Sequence, residues 1–332
     1  MSLIAVRTKN LTKRFKRSVA VDGISFDVNE GEVFGFLGPN GAGKTTTINM
    51  LSTLIAPSLG SAEIMGYDII KKRNEVRRSI GVVFQDPALD GRLTGRENLE
   101  FHAHMYGMPA RERTSRIAEV LALVELEDKA SARVETYSGG MKRRLEIARG
   151  LMHRPKVLFL DEPTIGLDAQ TRRHIWTYVK KLNDETGITM LLTTHYMEEA
   201  DALSHRILII DSGRIVALDT PAALKDVLGG DVIELGTAGD TAAFVDAMRS
   251  AGWVKNVAAG ADHVRLTLEK AETHVAPVVQ AAVDHGVSLS TVSIRKPSLD
   301  DVFIHFTGKT IREGGDGPAE AKAARRGQGR RG

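Results

Sequence analysis

Short, unbroken apolar runs punctuate the first two thirds of the chain: Val33-Phe34-Gly35-Phe36-Leu37, Ile80-Gly81-Val82-Val83-Phe84, Val157-Leu158-Phe159-Leu160, Met190-Leu191-Leu192-Thr193-Thr194 and Ile207-Leu208-Ile209-Ile210. Runs of this length without polar alternation read as strands buried on both faces. From Thr171 to Leu182, Ile175, Val179 and Leu182 recur at helical spacing, so a helix there should press on a sheet. Up to about residue 220, strands and helices alternate, which predicts α/β organisation. Between Gln85 and Ser138 the strands stop. Thr94-Gly95-Arg96-Glu97 has capping-box spacing and opens a helix carrying Leu99, Phe101, His102, Met105 and Tyr106; a second helical stretch runs from about Pro109 to Val124. The pattern predicts an all-helical insertion over roughly residues 86–137, set inside an α/β domain that ends near 221.

After Pro221 the period changes. Strand-like runs at Val232–Leu235, Trp253–Val257, Val264–Leu268 and Val287–Ile294, with helical runs at Ala242–Ala251 and Val275–His285, give the order β-α-β-β-α-β. This order suits a small ferredoxin-like α+β domain over 222–305. Pro277 fits the second helix only if it lies in the first turn. Residues 306–332 read as a disordered basic tail.

Composition narrows the class. A chain of 332 residues accommodates two domains with cores of their own, and an apolar fraction of 42% is ordinary for a soluble protein. The absence of cysteine excludes a disulfide framework and thiolate chemistry and suits a reducing compartment. No apolar run approaches the 18 or so residues of a membrane span, and the amino end lacks a signal-peptide core. The net charge of +3 comes from the tail: residues 309–332 hold seven basic and three acidic groups, leaving the remainder slightly negative. No nucleic-acid partner is expected, and the tail reads as a solvated end rather than a lipid- or nucleic-acid-binding arm.

The chemistry concentrates where the first buried strand ends. Gly38-Pro39-Asn40-Gly41-Ala42-Gly43-Lys44-Thr45 is a phosphate-binding loop, and Thr45 to Leu54, beginning with Thr46 and Thr47, continues as a helix whose amino end adds positive dipole. Backbone N–H groups can wrap a phosphate, Lys44 can reach the β/γ oxygens, and the Thr45 hydroxyl can hold Mg²⁺. Gly41 and Gly43 alone would fit a surface turn, but not with this strand before and helix after. A second buried strand delivers Asp161-Glu162-Pro163. Asp161 suits the Mg²⁺ shell, and Glu162 can poise a water against the γ-phosphate. Gln85 follows another strand and can ligate Mg²⁺ or the water; read alone it is equally an ordinary polar residue closing a strand. His195 can touch the γ-phosphate and sense its loss, or serve a structural hydrogen bond.

With these residues goes Tyr137-Ser138-Gly139-Gly140-Met141, placed between Gln85 and Asp161, and the chain resembles the nucleotide-binding subunit of an ATP-binding cassette (ABC) transporter over about residues 3–220. Six elements stand in the family's order: Phe15, the loop at 38–45, Gln85, the signature, Asp161-Glu162 with Gly166-Leu167-Asp168, and His195. Within the family it resembles the daunorubicin/doxorubicin-resistance type of ABC-2 exporter ATPase, whose C-terminal ending is similar to Pro297-Ser298-Leu299-Asp300-Asp301-Val302-Phe303.

The resemblance implies a P-loop NTPase of ABC type that uses ATP and Mg²⁺. Phe15 would stack on adenine, and Ser138, Gly139 and Gly140 would contact the nucleotide of a second copy of the chain, packed head to tail. Asp168 would cross that interface and Glu162 would be the general base. The chain would sit peripherally on the cytoplasmic face of the cell membrane, and its partner would be an ABC-2 membrane permease, docked by a short coupling helix against Pro87, Leu89, Leu99, Phe101, Met105 and Tyr106, some of which are equally ordinary core. Tyr137 and Met141 stand where Leu and Gln are commonest, and Met141 is as readily a core residue as a nucleotide contact. Export of a drug, lipid-like or other hydrophobic substrate follows. The competing readings are a soluble ABC ATPase acting on DNA or the ribosome and a regulatory module that binds ATP without turnover. The short insertion and single cassette oppose the former, and Glu162 the latter.

Overall fold

The computed structural model describes residues 3–260 and 262–307, which build three sheets. The central one has six strands in the order Arg214–Asp219, Arg206–Asp211, Val33–Leu37, Thr189–Thr194, Val157–Asp161 and Ile80–Val83. All neighbours are parallel except the first pair. Both faces are covered, which explains the unbroken apolar runs. Successive residues of one strand enter different cores: Leu158 and Leu160 face the helical insertion, whereas Val157 and Phe159 face the amino-terminal sheet.

That amino-terminal sheet is antiparallel, running Ser18–Ile24, Ile4–Phe15, Leu59–Ile64 and Tyr67–Asp68, with Asp27–Asn29 paired to Ile4–Phe15. The sequence shows it poorly beyond its strand-like amino end, because its long strand buries Ala5 and Val6 in succession, and again Leu11 and Thr12, over irregular registers. Phe26, Phe34 and Phe36 join it to the central sheet, their ring centroids 5.0 to 5.7 Å apart.

The helical insertion is present. Thr94 Oγ1 accepts from Glu97 N at 3.2 Å and Glu97 Oε2 accepts from Thr94 N at 2.7 Å, closing the expected capping box on the helix Gly95–Met105. The helix Ala110–Leu123 follows. Two boundaries differ from expectation. The helix after the phosphate loop spans Lys44–Leu51 and stops short of Leu54, because Thr53 takes a positive φ of 65°. The basic tail starts later than residue 306, since the helix Leu299–Thr307 continues through Phe306; residues 308–332 lie outside the described residues.

The third sheet orders Val254–Ala259, His263–Leu268, Asp231–Ala238 and Ser288–Arg295, all antiparallel, with the helices Ala242–Ser250 and Ala271–Asp284 packed on it. This is the ferredoxin-like arrangement. Pro277 lies in the interior of its helix, not its first turn, because the helix begins at Ala271. Thr273 and Pro277 are both exposed, so solvent can serve the carbonyl that proline leaves without a donor. The last helix then leaves this sheet. Leu299, Val302 and Phe303 pack with Leu224, Met197 and Leu37, the residue just before the phosphate loop.

Candidate active site

Four neighbouring parallel strands end on one side of the sheet, where ligands of open α/β folds sit. Val33–Leu37 leads into the phosphate loop, Thr189–Thr194 into His195, Val157–Asp161 into Glu162, and Ile80–Val83 toward Gln85. A cavity of about 290 Å³ lies there, lined by Asn40, Gly41, Gly43, Lys44, Thr45, Thr46, Gln85, Glu162 and Ile165.

The glycines of the loop are sterically required. A Cβ on Gly43, whose φ is 109°, would meet Ala20 O at 2.5 Å, and one on Gly38 would meet Ile210 O at 2.3 Å. The helix Lys44–Leu51 therefore begins with Gly43 and no capping side chain, and its first turn holds no acidic residue. Its free N–H groups and dipole suit an anion.

Lys44 is buried. Its ammonium donates to Gly38 O at 2.7 Å and Pro39 O at 3.2 Å, and lies 3.3 Å from Glu162 Oε1. Burial pushes its pKa down, against the charge of Glu162. His195 Nδ1 lies 3.1 Å from Glu162 Oε2. Burial works to raise the Glu162 carboxyl, but the His195 hydrogen bond and the Lys44 charge outweigh it and hold it below the usual glutamate value. Asp161, neighbour in sequence, moves the other way: burial raises it against hydrogen bonds from Thr193 and Thr45. Two adjacent carboxylates with opposed environments suit two tasks.

Thr45 Oγ1 donates to Asp161 Oδ1 at 3.3 Å. A hydroxyl and a carboxylate beside a phosphate cradle fit a small hard cation that completes its shell with water and phosphate oxygens. Among the described residues no cluster of three or more His, Cys, Asp or Glu could hold a metal by protein ligands alone. The donors thus fit Mg²⁺ arriving with ATP.

Other expected residues lie apart from the cavity. Phe15 is exposed at the end of Ile4–Phe15, in a hairpin whose return strand touches the loop at Ala20. Ser138 and Gly139 are exposed and Gly140 is buried at the start of the helix Gly139–Leu151, where Ser138 Oγ accepts from Met141 N at 3.2 Å. Asp168 is exposed and caps the helix Ala169–Thr186 through Thr171 N at 2.9 Å. Met141 is half-buried against the core of the insertion, and Tyr137 is buried with its hydroxyl donating to Lys129 O at 2.6 Å.

A second groove, of about 460 Å³, lies between the insertion and the strand leading to Gln85, and includes Phe84, His102, Met105, Tyr106, Arg149 and His153 in its lining. Of the six residues expected in a docking groove, Met105 and Tyr106 line it. Leu99 is instead fully buried, Leu89 packs on the insertion core, and Pro87 and Phe101 are outside this lining. Burial and the neighbouring Arg149 push His102 down to about 4, so the groove is lined by a neutral imidazole at physiological pH.

Sequence reasoning missed the supports of the two carboxylates. Thr193 Oγ1 accepts from Glu162 N at 3.0 Å and donates to Asp161 Oδ1. Glu199, fully buried, accepts from Thr164 Oγ1 at 2.7 Å and Trp176 Nε1 at 2.9 Å, tying the segment after Glu162 to the helix after His195. Arg143 makes three further bonds to this region. The paired threonines before His195 are the one signal in the sequence that pointed here.

The phosphate loop, carboxylate pair and helical insertion define a P-loop ATPase of the transporter type, and comparison with known proteins agrees. The ABC transporter family model matches residues 21–165, and the model for the C-terminal domain of DrrA1-3-like ATP-binding proteins matches residues 220–307. The linearmycin resistance ATP-binding protein LnrL of Bacillus subtilis (strain 168) is 42% identical over 93% of this chain and 100% of its own length. The daunorubicin resistance ATP-binding protein DrrA2 of Streptomyces coeruleorubidus is 42% identical over 92% and 95%. Among solved structures, the dimeric post-hydrolysis state of the cassette MJ0796, bound to ADP and Pi, aligns with a TM-score of 0.58 at 33% identity, covering 65% of this chain and 98% of that one.

The chain belongs to the ABC transporter family. It is a nucleotide-binding, ATP-hydrolysing subunit of an ABC exporter and uses ATP and Mg²⁺. Among the described residues no helix is long and apolar enough to cross a membrane.

Proposed function

We propose that Glu162 is the general base of ATP hydrolysis, with Lys44 and the loop 38–45 holding the phosphates, Thr45, Asp161 and Gln85 completing the Mg²⁺ shell, and His195 orienting Glu162. The observation that carries this reading is the chain of contacts Lys44–Glu162–His195 at the mouth of a cavity built from four strand ends. Mg²⁺ would neutralise charge building on the transferred phosphoryl group. Glu162 accepts a proton from the attacking water, a task suited to a carboxylate kept ionised. His195, hydrogen-bonded to that carboxylate, fixes its orientation. Phe15 covers the adenine end, and Ser138, Gly139 and Gly140 serve the nucleotide of the second copy, since they open a helix whose capping residue Ser138 and first residue Gly139 are exposed and can offer donors to a phosphate.

Residues 1–221 form the nucleotide-binding domain, 222–305 the accessory domain, and the subunit sits on the cytoplasmic face of the cell membrane. The groove beside Met105 and Tyr106 receives the coupling helix of the permease. The exported substrate is a drug or lipid-like hydrophobic compound, in keeping with relatives named for linearmycin and daunorubicin resistance.

Replacing Glu162 by Gln keeps size and removes the proton acceptor. Turnover should fall by ~100- to 10,000-fold while MgATP still binds, and the variant should accumulate as an ATP-bound dimer in sedimentation. A Glu162→Gln protein that hydrolyses ATP at the wild-type rate removes Glu162 as the base.

A further inference from the structure

Glu162 aims its side chain from a backbone that L-residues rarely adopt, with φ at 46°. Such a conformation persists where its surroundings over-determine it. The two carbonyls that bracket Glu162 are both held by a single guanidinium: Arg143 Nη2 donates to Asp161 O at 3.0 Å and Nε to Pro163 O at 2.7 Å. The other arm, Nη1, donates to Phe84 O at 2.7 Å, the residue before Gln85. Arg143 is buried, and among the described residues its hydrogen bonds go to these three backbone carbonyls. It lies in the second turn of the helix Gly139–Leu151, which Ser138 caps. One side chain therefore fastens three segments: the turn that carries Glu162, the strand end that carries Gln85, and the helix whose start is exposed for a second copy.

We propose that Arg143 is a positioning residue for hydrolysis. It locks the backbone turn that aims Glu162 and couples that turn to the Ser138–Gly140 helix start, so that engagement of the helix by the second copy's nucleotide sets the rate at this chain's own site. The inference rests on Glu162 being the base. It follows from the geometry of the fork: three donors in one plane, at fixed angles, meet three carbonyls from two separate strand ends, and a single ammonium cannot reproduce that. Rotation of the helix Gly139–Leu151 moves the fork and hence both strand ends together.

The test compares the full chain with Arg143→Lys and Arg143→Gln, each checked for folding by circular dichroism. MgATP affinity is measured by calorimetric titration and ATP turnover across ATP concentration. Both variants should bind MgATP within about twofold of wild type, because no phosphate contact is touched, while kcat falls ~10- to 100-fold. The Hill coefficient of turnover for ATP, measured side by side, should also be lower in both variants than in wild type as the two sites uncouple. Lys should recover part of the loss seen with Gln, since it keeps one charged donor. Wild-type kcat in either folded variant overturns the proposal; so does a parallel loss of affinity and kcat, or failure of both variants to fold, either of which assigns Arg143 a general structural role. Glu162→Gln is run alongside. If it too is fully active, the base assignment has failed; if it is dead while Arg143 variants are fully active, only the positioning role has.

Discussion

The helix Lys44–Leu51 starts bare, whereas the helix Gly139–Leu151 starts capped by the Ser138 hydroxyl. Both have glycine at or near the start, and neither has an acidic residue in its first turn, so both present a positive end to an anion. The surroundings differ. Around the bare start stand Lys44, Glu162, Gln85 and Thr45, lining one cavity of a single chain. Around the capped start, Ser138 and Gly139 are exposed, and Leu167 and Thr171 crowd the two glycines: a Cβ on Gly139 would lie 3.1 Å from Leu167 and one on Gly140 2.6 Å from Thr171. The first start is the phosphate end of a complete site. In the function proposed above, the second serves the nucleotide of another copy of the chain.

The comparison breaks most directly at Lys44. Lys44→Ala deletes a charge-assisted donor from the bare start and should weaken MgATP binding to the isolated chain by ~2 kcal/mol, roughly thirtyfold in affinity, with the backbone cradle left intact. Isothermal titration reads this, and wild-type affinity in the variant would separate the loop from phosphate binding. Ser138→Ala probes the capped start. It should leave MgATP affinity of the single chain untouched, cost about 1 kcal/mol of thermal stability through the lost cap, and weaken the ATP-dependent dimer seen in sedimentation. A loss of single-chain affinity matching that of Lys44→Ala would erase the distinction between the two starts.

The smallest expected effect is in pH. The Glu162 carboxyl is held below its usual value in the folded chain, so its contribution to stability is present above the unfolded value and is lost only as pH falls through the lower, folded one. Glu162 itself should therefore leave turnover unchanged from neutral pH down into the ordinary carboxylate range, and Asp161, which burial raises, is the carboxylate expected to be protonated first as pH falls. A rate that declines well above that range would place the controlling group elsewhere.

Much of this was legible in the sequence because the chemistry is local. A glycine-rich loop between a buried strand and a helix, and a carboxylate pair at the end of another such strand, declare themselves by position along the chain. Arg143 did not. It stands beside Arg144 in Lys142-Arg143-Arg144, three cations that look alike in sequence, and only the fold turns one of them inward onto carbonyls from residues 84, 161 and 163. The docking groove was half legible for a related reason. Leu99 and Met105 lie on one helix, and the register that buries the first and exposes the second depends on the neighbouring helices. The amino-terminal sheet was hidden because its long strand breaks alternation: Ala5 and Val6 are buried in succession, as are Leu11 and Thr12, across several register shifts.

The last helix carries a consequence for how the chain is made. Leu299, Val302 and Phe303 cover Leu37, Met197 and Leu224, so part of the apolar lining beneath the phosphate loop waits for residues some 260 positions downstream of the loop itself. Domains made on the ribosome fold as units as they emerge, amino end first. Here the catalytic unit emerges with a face uncovered, and closes it only when synthesis has passed the whole ferredoxin-like sheet. Translation that stops early releases a cassette with every motif for ATP already present and its apolar flank open to other chains.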